Sequence, residues 1–170
     1  MDEEEKEADI RYGNHYSANK EAEFIHADLA EQAQAGHVAV LTLKAVNTLH
    51  NLWLSPVAVI PQMVRRPCLI FDFTLIGLND VSKRSDPMKA MRFGGALQRI
   101  LKQILTSDPR LGPVYLSKVE LTDAYMRLWV RMEDVPSVAF LVPKKKSSNI
   151  QLVGSYLSLP MGYVDSAPYF

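Results

Sequence analysis

Three runs of apolar residues, many of them β-branched, lie between His37 and Phe73, and each is bounded by proline, arginine or polar residues. Such runs are typical of buried strands joined by short loops. Farther along the chain, A-F-L-V-P and N-I-Q-L-V-G-S-Y-L flank K-K-K-S-S, a pattern that predicts a β-hairpin with a basic tip. A further strand is predicted from Val114 to Leu121. The first three runs are V-A-V-L-T-L, W-L-S-P-V-A-V-I-P and C-L-I-F-D-F.

Two segments have the composition or the periodicity of helices. The run from Asn19 to Ala35 is rich in alanine, glutamate and glutamine, and Gly36 follows it as a stop. The clearer helix is predicted over residues 88–106, where apolar residues fall on one stripe before the chain reaches Asp108-Pro109. These elements predict an α+β fold with a mixed sheet packed on helices, the 88–106 helix among them. The stripe consists of Met91, Leu97, Ile100, Leu101, Ile104 and Leu105.

The composition excludes several classes of protein. With 48% hydrophobic residues, Gly 8 and Pro 10 in 170 residues, the chain is neither collagen-like nor of low complexity. A single cysteine, Cys68, rules out a disulfide scaffold. No apolar run approaches the roughly 20 residues that cross a bilayer. We therefore expect no membrane partner and an intracellular protein, in the cytoplasm or the nucleus.

The charge is unevenly distributed, although Lys+Arg 19 balance Asp+Glu 19. Residues 1–31 contain ten acidic and three basic residues, a net charge of −7, so the remainder carries +7. An acidic tail on a basic body suits a polyanionic partner such as a nucleic acid, but an ordinary solvated surface has the same composition. Residues 1–18 are acidic and polar without an apolar period, and we expect them to be disordered.

Familiar catalytic motifs are missing from the sequence. Its histidines lack metal-ligand spacing, and neither a G-x-S-x-G elbow nor a G-x-x-x-x-G-K phosphate loop occurs. The remaining candidates are the carboxylates of Glu120 and Asp123, at the end of the predicted Val114–Leu121 strand. A carboxylate in that position can hold a divalent metal while free N–H groups of the next turn bind phosphate. A plain helix cap explains the same residues.

Three ordered blocks of the sequence resemble reverse transcriptases of eukaryotic retrotransposons. Y-L-S-K-V-E-L-T-D-A-Y-M-R-L-W-V and L-S-L-P-M-G-Y-V-D-S-A-P-Y-F resemble the first two palm motifs, and R-R-P-C-L-I-F-D-F followed by G-L-N-D resembles the fingers segment. The resemblance runs from about Ala27 to Phe170. It implies part of the polymerase right-hand fold, with residues 19–112 fingers-like and residues 113–170 an incomplete palm.

The resemblance implies roles for four residues of the first palm block. Glu120 takes the place of the first metal-binding aspartate, which implies Mg²⁺ as the cofactor. Asp123 and Ala124 fall where backbone amides meet the triphosphate of the incoming nucleotide. Tyr125 falls where an aromatic ring excludes a ribose 2′-hydroxyl by steric clash.

The second palm block and the fingers supply the rest of the implied nucleotide site. Met161 and Gly162, which follow Pro160, resemble the turn that lies under the nucleotide and the template base. Arg65 and Arg66 lie near the place where fingers cations grip the triphosphate. The implied partners are therefore deoxynucleotides and an RNA or DNA template-primer.

Three departures from the family pattern predict that this chain is truncated and inactive by itself. Glu120 is longer than aspartate by one methylene, whereas Mg²⁺ requires near-octahedral ligands at about 2.0–2.1 Å. Cys68 stands where the family commonly has arginine, and a thiol makes no charge-assisted hydrogen bond to a triphosphate. The Tyr-x-Asp-Asp motif, which carries the other metal-binding carboxylates, does not occur in these 170 residues. The alternative is a non-catalytic nucleic-acid-binding or interaction module derived from a retroelement.

Overall fold

Two β-sheets and the helices around them make up the computed structural model, which describes residues 3–82, 95–117, 124–145, 148–164 and 166. A four-stranded mixed sheet has the strand order β1-β6-β5-β2, and β3 pairs with β4 in a separate two-stranded sheet. This arrangement confirms the α+β class. In chain order the strands are β1 (Val38–Thr42), β2 (Leu54–Ser55), β3 (Val57–Ile60), β4 (Cys68–Phe71), β5 (Ala139–Leu141) and β6 (Leu152–Tyr156).

Helices precede, connect and follow the strands. None of the helices in the described ranges is long and apolar enough to cross a bilayer. Short 3₁₀ helices span Pro109–Leu111, Tyr125–Arg127 and Met132–Val138. The α-helices are α1 (Glu3–Tyr12), α2 (Tyr16–Lys20), α3 (Ala22–Gln34), α4 (Leu43–Val46), α5 (Leu78–Val81) and α6 (Ala96–Thr106).

The predicted hairpin with a basic tip is confirmed as β5 and β6, which pair antiparallel with Phe140 opposite Gly154. Strand β1 pairs antiparallel with the other edge of β6, where Val38 lies opposite Tyr156. The short strand β2 runs parallel to β5, which makes the sheet mixed. The hairpin of β5 and β6 therefore lies between β1 and β2 in one sheet.

Pro56 is the single residue between β2 and β3, and it carries the chain from one sheet to the other. Proline has no N–H to donate to a ladder, so it disfavours a continuous strand. Its side chain is fully buried, and its carbonyl oxygen accepts a hydrogen bond of 3.0 Å from the Asp72 backbone N–H. Val57 then lies opposite Phe71 in the β3–β4 pair.

Aromatic side chains from both sheets meet in the core. The Phe71 ring contacts Phe140 and Tyr156 edge to face, with centroid distances of 4.9 and 5.0 Å. Gly154 leaves space for this cluster, because a Cβ at that position would overlap the Phe140 ring. Helix α3 closes the core with Ile25, which is fully buried.

The expectation that residues 1–18 are disordered is wrong for residues 3–18, most of which lie in α1 and α2. Buried Lys6 donates from Nζ to the Asn47 carbonyl oxygen at 2.8 Å. Asn14 donates from Nδ2 to the Leu141 carbonyl oxygen at 2.9 Å. These bonds fix the segment to distant parts of the chain, and average polarity does not reveal such single anchors.

Helix α6 confirms the C-terminal part of the predicted 88–106 helix, whereas residues 88–94 lie outside the described residues. The expected packing of this helix on the sheet is wrong for its described part. No residue of α6 is buried, and Leu97 and Leu105 are 68% and 83% exposed. Among the helices that do pack on strands are α2, which lies beside β3, and α3, which lies beside β1.

The predicted strand from Val114 to Leu121 is not formed by its described residues, 114–117, and residues 118–123 lie outside the described ranges. Tyr115 and Leu116 are 86% and 73% exposed. Within residues 114–117, the apolar side chains therefore have no described neighbouring strand that holds them in a sheet.

Candidate functional site

The turn that contains Met161 and Gly162 lies against the end of β4. Gly162 has a left-handed backbone with φ of 97°, which glycine adopts readily. A Cβ placed on it would lie 3.2 Å from the Phe71 carbonyl oxygen, so the close approach also favours glycine. Pro160 is buried beneath the turn, whereas Met161 is 58% exposed. The turn thus holds the exposed Met161 next to the buried Pro160.

Asn79 ties this turn to the fingers-like segment. Its Nδ2 donates to the Gly162 carbonyl oxygen at 3.3 Å, and its Oδ1 accepts from the Val164 backbone N–H at 2.9 Å. Nδ2 also lies 3.1 Å from Thr74 Oγ1, which orients the amide. Gly77, with φ of 74°, turns the chain into the short helix α5 that carries Asn79. The G-L-N-D and L-P-M-G-Y blocks are therefore bonded to each other.

Residues 124–130, the described end of the block that resembles the first palm motif, lie along residues 157–159. Beyond the 3₁₀ helix Tyr125–Arg127, the Val130 N–H donates to the Leu157 carbonyl oxygen at 2.9 Å. The Leu159 N–H donates to the Leu128 carbonyl oxygen at 2.7 Å. All three blocks that carry the resemblance consequently meet around residues 157–164, although they are far apart in the sequence.

The predicted site residues are only partly brought together in the described structure. Ala124 and Tyr125 are partly buried at the start of the Tyr125–Arg127 helix, and Met161 and Gly162 lie on the turn. Glu120 and Asp123 lie outside the described residues. Within the described ranges, no group of three or more His, Cys, Asp or Glu side chains is placed to hold a metal. Mg²⁺ and its ligand Glu120 stay predictions.

The two fingers arginines differ in their surroundings. Arg66 bonds Asp28 at 2.7 Å and Glu31 at 2.8 Å, and its guanidinium lies 5.6 Å from the Phe24 ring centroid. The hydrogen bond that Arg66 donates to Glu31 raises the pKa of Arg66 above its ordinary value. Arg66 therefore fastens its loop to α3. Arg65 is exposed, and no described residue bonds its guanidinium.

A cleft of about 890 Å³ opens beside the three blocks, and we call it the tryptophan cleft. Trp53, Trp129 and Tyr163 line it, together with the apolar side chains of α5 and the Leu128–Val130 segment. The sequence analysis missed this cleft. The sequence contains two tryptophans, but it does not show that both line one cleft, because only the fold brings Trp53 and Trp129 together.

The charged lining residues of the tryptophan cleft bond to one another. Arg131 lies 2.8 Å from Asp134 through both Nε and Nη2, and its Nη1 lies 3.3 Å from Glu133. These two carboxylates raise the pKa of Arg131, with the Asp134 hydrogen bond as the largest cause. The guanidinium is thereby occupied within the protein.

Neither the comparison with protein-family models nor the comparison with curated proteins finds a match to this chain.

Proposed function

We propose that the chain is a reverse transcriptase-like unit of fingers and partial palm that binds a deoxynucleotide and template-primer but does not polymerise by itself. The convergence of the three blocks around residues 157–164 is the observation that supports it. Asn79 bonds the turn 83 residues away, so the G-L-N-D and L-P-M-G-Y blocks lie side by side. A shared nucleotide site requires blocks that lie close together in space.

The turn at Met161 and Gly162 has the form that a nucleotide platform needs. A flat base or sugar can approach backbone closely only where no Cβ intervenes, and Gly162 provides such a place. The exposed Met161 side chain offers polarizable apolar surface beside it. In this proposal the nucleotide rests on Met161 and Gly162.

Arg65 supplies the fingers cation in this proposal. Arg66 resembles the family cation equally well by position, but its guanidinium is held by Asp28 and Glu31. A triphosphate would have to displace two carboxylates to reach it. Binding of a triphosphate to the exposed Arg65 guanidinium displaces no described carboxylate. A charge-assisted hydrogen bond to phosphate is about twice as strong as a neutral one.

The absence of polymerisation rests on the sequence. No Tyr-x-Asp-Asp occurs in the 170 residues, and Glu120 replaces the shorter aspartate. Without these carboxylates, the chain lacks the donors that two magnesium ions need to clamp the attacking and leaving oxygens.

Nucleotide binding tests the proposal. We expect a fluorescent deoxynucleoside triphosphate to bind the 170-residue chain, and Arg65→Ala to weaken the binding at least fivefold. The matched control Arg11→Ala removes an exposed arginine from α1 and should leave affinity unchanged. Primer extension with Mg²⁺ should stay at background. Equal affinity of Arg65→Ala and Arg11→Ala, or extension above background, contradicts the proposal.

A non-catalytic nucleic-acid-binding module is the second candidate. Lys144 and Lys145 are exposed in the connection between β5 and β6, where a phosphate backbone can reach them. Lys144→Ala with Lys145→Ala should then flatten the salt dependence of single-stranded RNA binding, because fewer counterions are released. Binding of RNA without binding of the free nucleotide would favour this module over the first candidate.

A further inference from the structure

The tryptophan cleft exposes aromatic surface that a buried core position would hide. Trp129 is 67% exposed, although tryptophan has one of the largest apolar side chains. Both tryptophans of the chain, Trp53 and Trp129, line the same cleft. Its volume of about 890 Å³ is within the range of small-ligand sites, ~300–1,000 Å³. This surface is therefore large enough for a short stretch of partner chain.

The charged residues that are described in the cleft oppose an anionic ligand. Among the described lining residues, Arg131 is a cation and Glu133 and Asp134 are anions, so the carboxylates outnumber the guanidinium. Asp134 accepts a hydrogen bond from Arg131 Nε, its Oδ2 also lies 2.8 Å from Arg131 Nη2, and Glu133 lies 3.3 Å from Arg131 Nη1. A phosphate would have to break these contacts and then face two carboxylates. The phosphate of a nucleotide is thus a poor occupant of this cleft.

The same groups favour a planar cation. A guanidinium over a tryptophan face is attracted by the negative face of the ring, and arginine is the side chain most often found there. The Glu133 side chain is 72% exposed and has a carboxylate that Arg131 approaches only through Nη1. It can pair with a second guanidinium without losing the first. Neutral polar groups of Asn51 and Ser137 also line the cleft and can meet a peptide backbone.

We propose that the tryptophan cleft binds an extended peptide segment of a protein partner, with an arginine between apolar residues. The arginine stacks on Trp129 and pairs with Glu133, and its apolar neighbours cover the aliphatic lining. Met161 and Gly162 are not among the described residues that line the cleft, although Leu159 and Tyr163, on either side of the turn, do line it. The proposal does not depend on the proposed nucleotide function.

Fluorescence titration with a matched pair of peptides tests this proposal. The probe is acetyl-Leu-Arg-Leu-amide, and its control is acetyl-Leu-citrulline-Leu-amide, which has nearly the same shape without the charge. Because both tryptophans line the cleft, their emission reports its occupancy. We expect the arginine peptide to bind at least fivefold more tightly. Equal dissociation constants for the two peptides overturn the proposal.

Three variants locate the interaction. Glu133→Gln should weaken binding of the arginine peptide at least threefold and leave the affinity for the citrulline peptide unchanged. Trp129→Ala should weaken both peptides, and Trp129→Phe should restore part of the loss. Glu31→Gln is the matched control, because Glu31 is also an exposed carboxylate paired with an arginine, Arg66. A Glu31→Gln effect equal to that of Glu133→Gln overturns the assignment.

Adenosine monophosphate is the competing anionic probe in the same titration. We expect no saturable change of tryptophan emission with it. If the nucleotide binds the cleft more tightly than the arginine peptide does, the proposed charge preference is wrong. Failure of nucleotide binding at the Met161–Gly162 turn would leave the peptide result untouched, so the two proposals fail separately.

Discussion

The side-chain amide of Asn79 holds the carbonyl oxygen of Gly162 at 3.3 Å, across 83 residues of sequence. The same amide accepts from the N–H of Val164 at 2.9 Å, so it bonds the backbone on both sides of Tyr163. One side chain thereby sets the position of the turn relative to helix α5. The stability of the candidate nucleotide site should depend on it.

Asn79→Ala should lower the free energy of unfolding by about 1–3 kcal/mol, because it leaves the Val164 N–H without its partner. Urea denaturation measures the loss, and amide hydrogen exchange should show faster exchange at Val164. Asp80→Ala, at the exposed neighbouring position, should change stability by less than about 0.5 kcal/mol. Unchanged protection of the Val164 amide in Asn79→Ala would contradict the assigned bond.

Gly154→Ala should destabilise the protein by about 1–3 kcal/mol, because the added methyl overlaps the Phe140 ring. Combined with Phe140→Leu, the same change should cost less than the sum of the two single changes. Thermal and urea denaturation of the four proteins give the coupling. Gly95→Ala is the control, since among the described residues its Cβ would meet only Arg99 Nη1 at an ordinary 3.5 Å. Strict additivity would show that the two positions do not meet.

Arg66→Ala should lower stability by up to about 1 kcal/mol, the scale of an exposed ion pair, and the loss should shrink in high salt. Its bonds to Asp28 and Glu31 are the cause. Arg65→Ala should leave stability unchanged. Denaturation at low and high ionic strength checks both variants, and the opposite ranking would mean that Arg65 fastens the loop.

Asp9 should make the protein less stable as the pH rises through about 6. Burial raises the pKa of its carboxyl from the usual 3.8 to about 6, with Glu5 as the smaller cause, and its buried Oδ2 has no hydrogen-bond partner. Between these values the folded state binds more protons than the unfolded state, so its stability falls with increasing pH. Asp9→Asn should gain about 1 kcal/mol at pH 7, a discounted figure because the side chain is partly exposed.

Denaturation of wild type and Asp9→Asn at pH 4 and pH 7 measures this difference. The gain of the variant should vanish at the lower pH, where the native carboxyl is protonated in the folded protein. A gain that is the same at both values would show that burial does not shift this carboxyl.

Leu101→Ala should cost less than about 0.5 kcal/mol, although the residue belongs to the most regular apolar stripe of the sequence. Its side chain is 48% exposed, whereas Ile25 is fully buried. Ile25→Ala should cost roughly 2–5 kcal/mol. Equal losses for the two variants would mean that α6 packs on the body in solution.

The six described strands were predictable because their signal is local, although the same signal wrongly predicted a strand over residues 114–117. Runs such as V-A-V-L-T-L and A-F-L-V-P form β1 and β5, and the basic residues between β5 and β6 mark the hairpin tip. Burial was harder to predict. The stripe of α6 has a regular helical period, but none of its described residues is buried. Lys6 is buried, and its ammonium donates a hydrogen bond to the carbonyl oxygen of Asn47, 41 residues later. Periodicity shows which face of a helix is apolar, but it does not show which part of the chain, if any, packs against that face.

The candidate site shows the same division. The glycine of the turn could be predicted from its block, and its left-handed backbone fits that role. The ion pairs of Arg66 could not be predicted, because its partners Asp28 and Glu31 lie in a helix more than thirty residues earlier. Trp129 carries no local sign of its exposure, so the cleft became visible only when the fold placed Trp53 beside the same opening.

Pro56 has a mechanical consequence. Since it alone separates β2 from β3, the two sheets share a coupling one residue long. A shift of β3 along β4 by one position would also move Leu54 and Ser55 relative to their partners Ala139 and Phe140. The register of β3 on β4 is therefore linked to the register of β2 on β5.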